Sequence, residues 1–415
     1  MPVFSPVRPG PPSKRPLIPN FAEFAAQNPW VGTPIGGPQD VPGGGYVQQF
    51  ENATAYALFG GVPYEVHGAI RDKYNQLGGP TGFLGFPTSS ETGCPDGVGR
   101  FSNFTGGSIY YHPSVGAFQI GGLIEEEWNA LGATQYGYPS SDETGCVDGI
   151  GRYNRITTLL PNSPTAQASI YWTPGTGAHE IRGAIHAAWA QLGFETSYLG
   201  YPVSDEHDDS GGRRSDFQNG SIFWTAANGI TLLPQAFTVD APNVTFGSGI
   251  AGGGNARFQI FSDGTTHFTG HLHDSGFSSY DCLAVFSVKD EQNRAYTASQ
   301  TGTIHGTDAP GSSRDLDWNI WGSSDDVRRN WASIRSSGVG GGTVSVTSDW
   351  SAQKISEEVS SIFGTILSVL DVISMIFGGG SSQSPSGDST DYDPDANLPG
   401  GYSDQDPGVD TGQSE

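Results

Sequence analysis

Apolar positions in the first half of the chain alternate between helical and strand spacing in a block that repeats. Ile70, Tyr74 and Leu77 fall at i, i+4 and i+7, one face of a two- to three-turn helix that begins near Gly68 and stops at Gly78. Next comes Leu84-Gly85-Phe86-Pro87, whose proline can neither continue a helix nor sit in the middle of a sheet. Ser90-Glu91, a Gly-rich turn and the short aromatic strand Gly107-Ser108-Ile109-Tyr110-Tyr111 close the block.

The same positions recur twice more in register. The helix face returns as Ile124, Trp128 and Leu131, then as Ile185, Trp189 and Leu192. The Gly-aromatic-Pro element returns as Tyr136-Gly137-Tyr138-Pro139 and Leu199-Gly200-Tyr201-Pro202. The acidic box returns as Ser141-Asp142-Glu143 and Ser204-Asp205-Glu206, and the aromatic strand as Ser169-Ile170-Tyr171-Trp172 and Ser221-Ile222-Phe223-Trp224. Starts at 68, 122 and 183 set the spacing, with an insertion around Leu159 to Ala168 in the longer interval. A worn copy precedes these, with Val31-Gly32-Thr33-Pro34 in place of the second element and Phe50-Glu51-Asn52 near its end. One such block cannot bury its apolar face alone, so the copies must pack on one another. Four β-rich copies are expected to form a propeller-like disc, with an open stack as the competing arrangement. Trp128 and Trp189 are expected in the core rather than at a ligand.

From about Asn243 the pattern changes. Ala256 to Ser262 alternates, Asp263-Gly264 is a hairpin turn, and Thr265 to His273 is the partner strand. Leu283–Val288, Ala295–Thr303 and Thr343–Thr347 read as further strands of a β-sandwich-like domain, with a helix near Asp325 to Ile334. Ile355, Val359, Ile362, Phe363, Ile366, Leu370 and Ile373 then recur at 3–4 spacing opposite Glu357, Glu358 and Asp371. That spacing predicts an amphipathic helix over 351–377, ended by Gly378. Its stripe packs on its own domain or, alternatively, serves self-association through Ile355, Val359, Ile362, Ile366, Leu370 and Ile373. The expected organisation is a Pro-rich segment 1–17, repeats over 18–235, the sandwich-like domain 243–350, the helix, and a disordered acidic tail 378–415. The fold class is mainly β with short helices.

Composition narrows the partners. The 415 residues carry 19 Lys and Arg against 43 Asp and Glu, a formal charge of −24. Phosphates need clustered cations, so nucleic acid and anionic membrane surfaces are excluded as general partners. No apolar run reaches the length of a membrane-spanning helix, and the N-terminus carries no signal-like apolar run. The 61 Gly and 28 Pro are largely punctuation within the repeats. Cys94 and Cys146 occupy equivalent places inside Glu-Thr-Gly-Cys-x-Asp-Gly, and the spacing of neighbouring copies favours two free thiols over a bridge.

The helix followed by Leu84-Gly85-Phe86-Pro87, with its in-register relatives at 136–139 and 199–202, resembles the LGFP repeat family over residues 20–233. The resemblance implies a non-catalytic module on exported proteins that associates with cell-wall polysaccharide, and hence an extracellular or wall-bound location. The worn copy departs from the family pattern in lacking the Leu, the Phe and the acidic residue.

Sugars are held by flat aromatic faces together with carboxylates and Arg that bond hydroxyls. Each full copy offers such a set: Glu91, Asp96, Arg100 and Tyr111; Glu143, Asp148, Arg152 and Trp172; Glu206, Asp209, Arg213 and Trp224. The competing reading makes these residues internal turn caps and ion pairs. Outside the repeats, His267, His271 and His273 share one strand face, and with Asp274 they form a candidate Zn²⁺ set. On that alternative the chain is a metal-dependent hydrolase targeted to the wall by its repeats. A third reading is a self-assembling or toxin-like protein that uses the C-terminal helix. No nucleophile-elbow or phosphate-loop motif is present.

Overall fold

The computed structural model describes residues 18–157, 167–246 and 249–364, and the backbone of 372–376. The Pro-rich N-terminal segment, most of the insertion and the acidic tail lie outside the described residues. The chain divides into two compact units. One holds the residues up to Phe237 with Ile260–Thr266 and Ser323–Ala332, and the other holds Thr238–Gln259, His267–Gly322 and the residues from Ser333 on.

In the first unit each copy is a helix followed by an antiparallel meander. Copy I comprises α1 (Phe21–Gln27) and β1 (Pro34–Val41), β2 (Gly45–Phe50), β3 (Thr54–Leu58) and β4 (Tyr64–Val66). Asn20 caps α1: its side chain accepts from the Glu23 amide at 3.0 Å and donates to the Glu23 carboxylate at 2.8 Å. Copy II comprises α2 (Gly68–Gln76) and β5 (Thr92–Gly93), β6 (Arg100–Phe104), β7 (Gly107–His112) and β8 (Gly116–Ile120). Copy III comprises α3 (Gly122–Ala130), β9 (Tyr138–Pro139), β10 (Thr144–Gly145), β11 (Arg152–Thr157), β12 (Gln167–Thr173) and β13 (Gly177–Arg182). Copy IV comprises α4 (Gly183–Leu192), β14 (His207–Asp209), β15 (Gly212–Phe217), β16 (Gly220–Thr225) and β17 (Gly229–Pro234). The full-copy helices end where the sequence predicts, because Gly78, Gly132 and Gly193 take left-handed φ of 93°, 110° and 102°.

Each core is completed by the preceding copy. Ile70, Tyr74, Leu84, Phe86, Phe104 and Ile109 of copy II pack with Tyr56 and Val66 of copy I. Ile124, Trp128, Ile156 and Ile170 of copy III take Ile120 from copy II. Ile185, Trp189, Leu199, Tyr201, Phe217 and Ile222 of copy IV take Cys146, Tyr171 and Ile181 from copy III. Trp128 and Trp189 are fully buried, which settles them as core. The Tyr74 hydroxyl donates to the Gly85 carbonyl at 2.6 Å, and the Trp128 indole N–H donates to the equivalent Gly137 carbonyl at 3.0 Å. The helix aromatic thus fixes the Gly-aromatic-Pro bend in both copies. The sheets are separate, and none closes on itself among the described residues.

The remaining strands are β18 (Ala236–Thr245), β19 (Gly252–Phe261), β20 (Thr265–Asp274), β21 (Tyr280–Lys289), β22 (Ala295–Ile304), β23 (Asp315–Ser323), β24 (Val339–Val346) and β25 (Val372–Ile376). They form two sheets, ordered β18-β19-β20-β23 and β24-β21-β22-β25. Inward residues of the two sheets meet, with the Phe268 ring 5.5 Å from Phe286 and flanked by Phe258 and Trp318. The helix expected near Asp325 is α5 (Asp325–Ser337), with Val327, Trp331 and Ile334 buried.

The C-terminal helix is the main correction. A single helix over 351–377 does not form: α6 spans Ala352–Phe363 and stops at Gly364, whose φ is 62°. Val372–Ile376 is instead a strand, paired in parallel with β22 from Ala295↔Val372 to Ser299↔Ile376. The stripe spacing is right for one turn after another, but a left-handed glycine interrupts it, and the β-branched segment beyond finds a sheet edge. Ile355 and Val359 are buried against Leu283, Val285 and Ala295 of their own domain, with Ile362 and Phe363 beside them. The expected self-association face is therefore spent internally at these positions, and Ile373 lies on β25. Ile366 and Leu370 lie outside the described residues.

Candidate functional site

The acidic boxes lie where one copy meets the next. In all three junctions a box side chain accepts the amide N–H of a residue in the preceding copy's last strand. Ser90 accepts from Glu65 at 3.3 Å, Asp142 from Gln119 at 2.8 Å and Asp205 from Glu180 at 3.0 Å. The bond is reciprocated: Glu65 and Gln119 accept the Glu91 and Glu143 amides, each at 3.2 Å. Glu65, Gln119 and Glu180 are buried. Sequence reasoning missed these three, although each stands three residues before the helix glycine at 68, 122 and 183. Tyr136 donates to Glu180 at 2.5 Å, and burial raises the Glu180 carboxyl to about 7 against the lowering pull of Tyr136 and Arg182.

The predicted Glu and Arg find each other. Arg100 donates to Glu91 at 2.9 Å, Arg152 to Glu143, and Arg213 to Glu206 at 2.8 Å and to Asp208 at 2.5 Å. Strand register sets an aromatic opposite each guanidinium: Arg100↔Tyr111, Arg152↔Trp172 and Arg213↔Trp224. Tyr111, Trp172 and Trp224 are half-buried, each with one side on its copy's core. Two junctions add a second basic side chain. His67 bonds Glu65 at 2.9 Å and Glu91 at 3.2 Å, which raises its pKa, chiefly through the Glu65 bond. Arg182 lies 3.4 Å from Glu206. Gly121 stands at that place in the middle junction, and Glu143 is the most exposed of the three box glutamates, at 19%.

The predicted Asp residues separate. Asp96 accepts the Val98 and Gly99 amides, each at 2.9 Å, and the Tyr138 hydroxyl of the next copy. Asp148 accepts the Ile150 amide at 2.9 Å and the Tyr201 hydroxyl of the next copy at 2.7 Å. Both carboxyls sit below the usual range, because these donors outweigh the upward pull of burial. Asp209 bonds Ser210 at 2.8 Å and Arg214 at 3.4 Å. Copy IV brings its Asp, Arg and aromatic to one cleft: Asp208, Asp209, Ser210, Gly211, Gly212, Arg213 and Trp224 line an open hollow of about 470 Å³.

In the second unit the three histidines do share the exposed face of β20, and each is held from β23. His267 bonds Asn319 at 2.7 Å and stacks on Trp321 at 3.8 Å; His271 bonds Asp317 at 2.7 Å and His273 bonds Asp315 at 2.6 Å. Asp274 falls on the opposite, buried face with its carboxylate on the Gly276 amide at 2.6 Å, so the structure does not bring it to the histidines. Among the described residues no group of three or more His, Cys, Asp or Glu converges as a metal would need. Cys94, Cys146 and Cys282 are free, buried thiols.

Four helix-plus-meander copies, each completing the core of the next, define a tandem-repeat protein. The LGFP repeat family matches four times, at residues 31–82, 84–135, 137–197 and 199–239, so this half of the chain consists of LGFP repeats. The C-terminal part has no family assignment. The family boundaries begin at the Gly-aromatic-Pro element, whereas packing joins each helix to the sheet that follows it. No curated protein matches the chain. Among solved structures, the match entitled "Crystal structure of the tricorn protease" is 9% identical with a TM-score of 0.11. It covers 68% of this chain and 30% of that one, and at that TM-score it carries no argument. LGFP repeats are cell-wall-associated modules, and no described helix is long and apolar enough to cross a membrane.

Proposed function

We propose that the repeats bind a neutral cell-wall polysaccharide without catalysis, and that the protein works outside the cell or on its wall. The observation that carries this reading is the copy IV cleft, where Asp208, Asp209 and Arg213 border one side of the half-buried Trp224 ring. A flat ring beside paired carboxylates and a guanidinium suits a sugar face and its hydroxyls. The overall charge of −24 favours a neutral polyol over a phosphate polymer. The Glu91–Arg100–Tyr111 and Glu143–Arg152–Trp172 sets provide weaker second and third contacts, with avidity from repetition. The four sheets are read as blades of a propeller-like disc; one four-stranded meander per copy supports this.

Co-sedimentation of the full chain with purified wall polysaccharide tests the proposal. Trp224→Ala and Arg213→Ala each lower the association constant about tenfold, while His271→Ala leaves it unchanged. Failure of the parent protein to sediment, or equal sedimentation of all four proteins, overturns the reading.

A further inference from the structure

The cysteines of copies II and III and the shift from Phe86 to Tyr138 and Tyr201 have no place in ligand binding, and the loop that lines the copy IV cleft departs from its counterparts in copies II and III. One geometry accounts for all three. The third residue of each Gly-aromatic-Pro element inserts into the copy before it. Tyr138 enters the loop Cys94–Gly99, where its hydroxyl donates to Asp96. Tyr201 enters the equivalent loop Cys146–Gly151, where its hydroxyl donates to Asp148 and accepts the Gly151 amide at 3.1 Å. The glycine closing each loop is required by close approach, since a Cβ at Gly99 would run into the Tyr138 hydroxyl and one at Gly151 into that of Tyr201. Phe86 seats on Gly45 of copy I, where a Cβ would meet its ring.

The composition follows the geometry at every junction. Copy I carries no Cys-x-Asp-Gly loop, and the ring seated on it is a phenylalanine with no hydroxyl to bond. Copies II and III carry the loop, and tyrosines are seated in them. Thr33 replaces the aromatic in copy I, the first of the four matched repeats. Copy IV has no copy after it, and its loop is two residues shorter and lacks the cysteine: nine positions separate Glu91 from Arg100 and Glu143 from Arg152, but seven separate Glu206 from Arg213.

We infer that the Cys-x-Asp-Gly-x-Gly loop is a receptor for a tyrosine side chain, and that its partner is the Gly-Tyr-Pro element of the following copy. Asp96 and Asp148 then hold neighbouring copies together rather than a ligand. The thiol that opens each loop is buried, so each junction has its own reporter: Cys94 for the junction of copies II and III, Cys146 for that of copies III and IV. Cys282, in the second unit, is the control.

The test is the rate at which a thiol reagent labels each cysteine of the full chain under native conditions, resolved by peptide mass spectrometry. Tyr201→Phe keeps the ring and removes its hydroxyl; Cys146 labels about tenfold faster, the factor that one lost hydrogen bond to a charged group supplies, and Cys94 and Cys282 do not change. Tyr138→Phe gives the converse, with Cys94 accelerated and Cys146 unchanged. Gly151→Ala, which displaces the ring itself, accelerates Cys146 more than Tyr201→Phe does. Unchanged labelling of Cys146 in Tyr201→Phe overturns the inference. So does an equal rise at all three cysteines, which would report general loosening rather than an opened junction.

Discussion

Carboxylates at the repeat junctions and on the β20/β23 face lead opposite lives. In the repeats, Glu65, Glu91, Glu180 and Glu206 have side chains less than a tenth exposed; Glu65, Glu91 and Glu206 are tied to a residue of another copy, and Glu180 is held by Tyr136 and Arg182. On the β20/β23 face, Asp315 and Asp317 are 44% and 70% exposed and pair with exposed histidines across the sheet. Buried polar groups are costly when left alone and are therefore matched; exposed pairs are screened by water and contribute little. Polar residues consequently carry architecture at the repeat junctions and decorate a surface on the β20/β23 face.

The largest test of that contrast lies beneath the polar layer. Trp128→Ala empties a fully buried site shared by two copies and costs about 3–5 kcal/mol in urea unfolding. A loss below about 1 kcal/mol would show that copies do not complete one another's cores.

Titration gives the next effect. The Glu180 carboxyl, at about 7, stands above its unfolded value of 4.5, so its contribution to stability is complete below pH 4.5 and is lost as pH rises towards 7. His186 has the opposite sign. Burial lowers it from 6.5 to about 4, so folding loses stability as pH falls from 6.5 towards 4. Glu180→Gln, the residue that copy II already uses as Gln119, raises stability at pH 8 by up to about 3 kcal/mol and flattens the loss between pH 4.5 and 7. An unaltered pH profile for the variant would remove Glu180 from the account.

The smallest effect is the control. Asp317→Ala breaks an exposed pair and changes stability by less than about 0.5 kcal/mol, measured by thermal unfolding. A cost matching that of the repeat carboxylates would erase the distinction between the junctions and this face.

The helix faces, the Gly stops and the core role of Trp128 and Trp189 were legible because they follow from local spacing. So were β21, β22 and the Asp263-Gly264 turn, where Gly264 takes a φ of 92°. The Glu–Arg pairs were legible as one of two readings. The residues that stayed hidden act across copies: Asp96 on Tyr138 and Glu65 on the Glu91 amide involve partners 42 and 26 positions apart, and no local pattern encodes them. The strand at 372–376 was hidden for the same reason, since its apolar spacing fits a helix and only the distant edge of β22 makes it a strand.

The seated tyrosines also bear on how such a chain can grow. Copy III has an aromatic that fits copy II at its front and a loop that accepts a tyrosine at its back. Duplicated in tandem, its tyrosine would meet a loop built to receive one. Copies I and IV lack one half of that match, so duplicating either would leave a seam. Lengthening by gene duplication is thereby channelled to the interior of the array, and its ends stay fixed while its middle is free to multiply.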